Sequence, residues 1–134
     1  MKEEKILSYQ LRIDKKTNLP CKGFLSEVDI TLEAMQAYVG GYIECIPLTQ
    51  EIIMIVNENG KIMGMPINRY WISKGKPIDA IVGNILCVRN SGEEFASILE
   101  SDIPVILEKL QVGIYLGSEF FYPISEDELS EYES

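Results

Sequence analysis

Ile52-Ile53-Met54-Ile55-Val56 is the longest uninterrupted apolar stretch in the chain, β-branched at four of its five positions. A run this short is far below the roughly 20 apolar residues a membrane helix needs. It suits a strand buried in the middle of a sheet. The flanking segments are shorter and more polar. Ile6 to Ile13 partly alternates and predicts a first strand. Asp14 to Gly23, rich in Lys, Asn, Pro and Gly, reads as a loop. Thr31 stands as an N-cap before Leu32, Met35 and Val39, which share one helical face, and Gly40-Gly41 supplies left-handed positions that stop a helix. This predicts a helix over residues 31–39, followed by a strand over Tyr42 to Ile46 that Pro47 ends.

Asn59-Gly60 is the strongest short hairpin signal and predicts a returning strand over Lys61 to Gly64. Residues 65–79 read as a long connection and Ile81 to Arg89 as another strand, with a turn at Asn90-Ser91-Gly92. Ser101 reads as an N-cap with Pro104 in the first turn, opening a helix that ends near Gly113. Ile114 to Ile124, which holds Tyr115, Phe120, Phe121 and Tyr122, reads as a last strand or an apolar arm that favours self-association into a homo-oligomer. The expected fold is α+β: a small mixed or antiparallel sheet with two helices packed on it. A single domain covers residues 1–124, and residues 125–134, with five acidic side chains, form a short helix or a tail.

The charge is concentrated at one end. Residues 93–134 carry 11 acidic side chains against Lys109 alone, whereas residues 1–92 hold 11 basic and 10 acidic ones. No basic footprint for nucleic acid is visible, so that partner is not expected. The start Met1-Lys2-Glu3-Glu4-Lys5 has no apolar core of a secretory signal, and no segment suits a membrane, so the expected location is the cytoplasm. Cys21, Cys45 and Cys87 are too few and too widely spaced for a disulfide framework or a zinc site. Cys45 and Cys87 read as small hydrophobes, and Cys21, after Pro20 in a polar stretch, is expected at the surface.

Histidine is absent from the chain. The usual triads, the commonest neutral-pH base and the common zinc and iron ligand sets are therefore missing. No glycine-rich phosphate loop occurs, so neither a metal nor a cofactor is expected and the chain reads as a binder rather than an enzyme. Within Met65-Pro66-Ile67-Asn68-Arg69-Tyr70-Trp71 a guanidinium sits among apolar and aromatic groups. Either Arg69 grips a phosphate or carboxylate while Tyr70 or Trp71 stacks on a ring, or Arg69 pairs with Glu44 or Glu58 while Asn68 caps a turn. Glu44 is a lone charge in an apolar strand, read as a solvated face or a ligand-facing carboxylate. Asn57 belongs to the predicted turn or to the ligand, and Asn84 satisfies backbone groups at a strand start or touches ligand.

Four segments together resemble a family of bacterial and phage proteins catalogued as domain of unknown function 3846. They are Thr31 to Glu44, Val56 to Lys61, Pro66 to Arg69 and Ile81 to Asn84, and the resemblance covers roughly residues 30–90. The N-terminal arm and residues 111–134 depart from that pattern. The resemblance implies no settled activity. Its occurrence on phages and mobile elements implies a host-interaction role in the host cytoplasm. The resulting expectation is a non-catalytic small-ligand-binding protein, an anti-defence protein that sequesters a nucleotide-like host signal. The alternative is an acidic inhibitor that mimics nucleic acid and docks on a host protein.

Overall fold

The computed structural model describes residues 5–121 and 126–131. The apolar run does lie at the middle of a sheet, as strand β4 (Ile52–Asn57), with β3 (Ile43–Pro47) on one side and β7 (Ile85–Ser91) on the other. Strands β1 (Lys5–Leu11) and β2 (Phe24–Asp29) extend the sheet in the order β2-β1-β7-β4-β3, and β8 (Glu94–Ala96) pairs with the far end of β7. A second sheet runs β6-β5-β9, from β6 (Lys76–Val82), β5 (Ile67–Ser73) and β9 (Leu110–Gln111). Strands β10 (Ile114–Leu116) and β11 (Glu119–Phe121) form a separate hairpin. All the described pairings are antiparallel, so the architecture is α+β with more sheet than the sequence suggests.

The large sheet is covered on both faces, which is why its central strand reads as continuously apolar rather than alternating. Ile52, Met54, Val56, Ile85 and Cys87 point to one side, where Ile81 of β6, half-buried Trp71 of β5, and Ile106 and Leu110 meet them. Ile106 belongs to helix α2 (Ile103–Lys109). Ile55, Leu86 and Val88 point to the other side, onto Met35 and Val39 of helix α1 (Leu32–Val39). Full burial of each such side chain contributes about 1.5–3 kcal/mol. Helix α1 has the expected limits: Thr31 Oγ1 accepts the Ala34 N–H at 3.1 Å and Gly40 sits in the left-handed region.

Several expectations are corrected. Neither Asn59 nor Gly60 has positive φ, and residues 58–64 form successive turns instead of a hairpin and a returning strand. The hairpin lies further on, at Lys74 (φ 52°) and Gly75 (φ 76°), the paired left-handed conformation of a type I′ turn. The expected connection over residues 65–79 is thus mostly β5 and the start of β6. Strand β2 falls in a stretch that the sequence left unassigned. The predicted strand over Ile81 to Arg89 is divided at Gly83-Asn84 between β6 and β7. The segment after Gly113 forms a hairpin rather than one strand or arm, and residues 122–124 lie outside the described residues.

Ser101 is not the N-cap of the second helix. A one-turn 3₁₀ helix (Glu100–Asp102) leads into α2, and Asp102 ties it down. Asp102 Oδ2 accepts from Arg89 Nε at 2.8 Å and from the Leu99 N–H at 2.9 Å, while Oδ1 accepts from Arg89 Nη2 at 3.1 Å. Helix α2 ends at Lys109, short of Gly113, because Leu110 and Gln111 pair with Trp71 and Tyr70. The hydrogen bonds from Arg89, more than any other cause, hold the Asp102 carboxyl below the usual carboxylate range. A folded-state pKa below the unfolded one gives stability that is complete above about pH 4 and lost as pH falls through the folded value. Asp102→Asn is therefore expected to lower neutral-pH stability and flatten its decline in acid, measured by urea unfolding at stepped pH.

Candidate functional site

On the α1 face of the sheet, β1 departs from the core pattern. Tyr9 and Leu11 enter the core on the opposite side, but Ser8 and Gln10 are buried polar residues. Their hydrogen bonds run outward in series. Ser8 Oγ donates to the Ser26 carbonyl at 2.7 Å, Gln10 Nε2 donates to Ser8 Oγ at 3.0 Å, and Arg12 Nε donates to Gln10 Oε1 at 3.2 Å. The relay includes the Arg12 guanidinium, which lies 4.5 Å from the centroid of the Tyr38 ring. Tyr38 is fixed from behind, its hydroxyl donating to the Ile85 carbonyl at 3.1 Å. Orienting a buried polar series toward one cation costs core packing, and it leaves that cation preorganised.

The Arg12–Tyr38 pair separates two hollows that share Arg12, Lys15, Ala37, Tyr38 and Asn84. One, of about 380 Å³, reaches Asn18, Gly40, Met65, Pro66 and Gly83. Its described lining includes two bases, Arg12 and Lys15, and no carboxylate. The other, of about 530 Å³, opens toward Phe24, Ser26 and Val28, with Glu27 and Asp29 on its rim. Small Ala34 and Ala37 on α1 leave room between the helix and the sheet. An oriented guanidinium stacked on an aromatic ring, with a lysine beside it, is chemistry for an anion joined to a planar group.

The residues singled out in the sequence have other places. Arg69 is 0% exposed. Its Nη1 donates to Asn68 Oδ1 at 2.7 Å, and its Nη2 donates to the Cys21 carbonyl and to Glu126 Oε2, each at 2.8 Å. Its counter-ion is thus Glu126, not Glu44 or Glu58. Glu126 also accepts the Gly23 N–H, so part of the expected acidic tail is built into the domain. Asn68 caps no turn: its Nδ2 donates to the carbonyls of Leu11 and Gly83 at 2.8 and 2.7 Å. Asn57 donates to the Val39 carbonyl at 3.1 Å and accepts from the Asn59 N–H, and Glu44 is exposed on edge strand β3.

Asn84 lines both hollows while donating to the Tyr38 carbonyl at 3.0 Å and accepting the Ile13 N–H at 2.9 Å. Tyr70 is buried edge-on against Tyr115 and Phe120. Of the seven residues, only Asn84 borders the cleft; Asn68 and Tyr70 border a separate cavity. Cys21 is buried and Cys45 exposed, the reverse of expectation. Lys15 and Tyr38 carry no signal of their own in the sequence, whereas Gln10 and Arg12 belong to a period-two stripe with Ile6 and Ser8. Among the described residues no group of three or more acidic or thiol side chains could hold a metal, and no helix is long and apolar enough to cross a membrane.

Fold and cleft together define a small antiparallel α+β domain with an arginine-centred polar cleft beside its first helix. Residues 19–111 match the family described as domain of unknown function (DUF3846), and the chain belongs to that family. No curated protein and no solved structure matches it. Three of the segments that carry the resemblance line the cleft, through Ala37 to Gly40, Pro66 and Gly83-Asn84. The fourth supports it through the Asn57 bond to Val39.

Proposed function

We propose that this protein is a non-catalytic binder of a small anionic, ring-bearing ligand of nucleotide type, held in the Arg12–Tyr38 cleft. The observation that carries the reading is the relay from Ser26 through Ser8 and Gln10, which aims one guanidinium at the divide between two hollows. The phosphate goes to Arg12 and Lys15 on the side without carboxylates. The ring goes to the Phe24 and Val28 side, beside Tyr38. Binding rather than turnover fits a chain without imidazole. On a phage or mobile element such a protein would act against host defence, in the host cytoplasm, by sequestering a nucleotide-like signal.

Thermal-shift measurement against nucleoside monophosphates and cyclic mono- and dinucleotides tests this. A ligand at a hundred times its Kd stabilises the fold by about 2.7 kcal/mol, a rise of several degrees in a domain of this size. The expected outcome is stabilisation by at least one of them that weakens with added salt. Unchanged melting with every nucleotide at millimolar concentration contradicts the reading.

A further inference from the structure

A second cavity, of about 380 Å³, lies where the loop before β2 meets β5 and the C-terminal part of the chain. Leu19, Ile67, Tyr70, Ile114 and Leu129 give it a mainly apolar wall. Its charged groups are both carboxylates, Asp14 and Glu128, with no lysine or arginine among its described lining residues. Asp14 is fixed by its own loop: Oδ1 accepts the N–H groups of Lys16 and Thr17 at 2.7 and 3.1 Å. Those backbone bonds hold its carboxyl below the usual range, so it is anionic at neutral pH. The Tyr70 phenol, raised by burial, stays neutral and presents an aromatic wall. This arrangement repels an anion and suits a cation carried on an apolar body.

The cavity straddles the limits of the family match. Asp14, Thr17 and Asn18 precede the matched region, and Val112 to Ile114 and Glu128 to Ser130 follow it. The Arg69–Glu126 ion pair and the bond from the Lys22 N–H to the Ser130 carbonyl, 2.7 Å, fasten that C-terminal part in place. We propose that this cavity binds a small aromatic or aliphatic amine, its apolar body against Ile67 and Tyr70 and its ammonium at Asp14.

Ligand-observed and amide-shift NMR of the full chain with tryptamine, indole and indole-3-acetate tests the charge rule with one ring. The expected order is tryptamine at least tenfold tighter than indole, with indole-3-acetate weakest, and shifts at Asp14–Leu19 and Ile67–Tyr70. Asp14→Asn keeps a loop acceptor for the two N–H groups and removes the charge, so it is expected to bring tryptamine down to the level of indole while indole is unchanged. Equal binding of the three probes by the unaltered chain, preference for the carboxylate, or no binding at all overturns the proposal without reference to any variant. A tryptamine preference that survives in folded Asp14→Asn overturns the role given to Asp14.

Discussion

Glu126→Ala is expected to destabilise the fold by about 3–5 kcal/mol, the usual cost of removing one partner of a buried ion pair. Arg69 has no exposed surface, and its Nε is a buried donor without a partner among the described residues, so once the carboxylate is gone the full charge rests on the neutral oxygens of Asn68 and Cys21. Half the stability of an ordinary domain of this size is at stake. Urea unfolding followed by far-UV circular dichroism reads the effect. A loss under 1 kcal/mol means that water reaches the guanidinium and that the C-terminal segment is not part of the domain. The double variant Arg69→Met with Glu126→Leu separates charge burial from packing: it removes both ions and is expected to recover most of the loss. For the same reason, deleting residues 125–134 tests the fold as much as any acidic partner surface, since Glu126 goes with them.

Arg12→Ala is expected to weaken nucleotide binding about ten- to a hundredfold, the equivalent of about 1.5–3 kcal/mol for a hydrogen bond to a charged group. The fold is expected to survive it, because Arg12 is only half-buried. Arg12→Lys keeps the charge but loses the planar fork and the stack on Tyr38, and is expected to fall between the two. Gln10→Leu leaves the guanidinium in place and removes the acceptor that orients it, so affinity is expected to drop while stability holds or rises. Isothermal titration with the tightest nucleotide from the thermal-shift series reads all three. Unaltered affinity in Arg12→Ala rules out the cleft as the site.

What the sequence displayed of this fold is what local rules control. The β4 run, the α1 cap at Thr31 and its stop at Gly40 are set by side-chain type within a few residues, and each stands where expected. Strand β5 was hidden because Asn68 and Arg69 put two polar groups in the middle of it, beside Pro66. Those groups are tolerated only because Leu11, Cys21, Gly83 and Glu126, distant in sequence, supply the partners. The same long-range pairing gives Arg69 its partners within the fold. An arginine among aromatics looks the same in sequence whether it grips a ligand or a carboxylate 57 positions away. Arg12 gives no local signal for the opposite reason: the residues that orient it, Ser8 and Gln10, are buried, and burial on both faces of a sheet does not show in one strand.

Whether the Arg12–Tyr38 cleft holds a nucleotide-type anion unchanged is read from one titration. Isotope-labelled protein is mixed with the stabilising nucleotide, the Arg12 Nε–H and the amides of Ala34 to Gly40 are followed by NMR, and the ligand is then recovered for mass analysis. Saturable shifts centred on Arg12 and Tyr38 are expected, with the recovered nucleotide intact. Shifts centred elsewhere, or a recovered ligand of altered mass, would contradict the proposed binding.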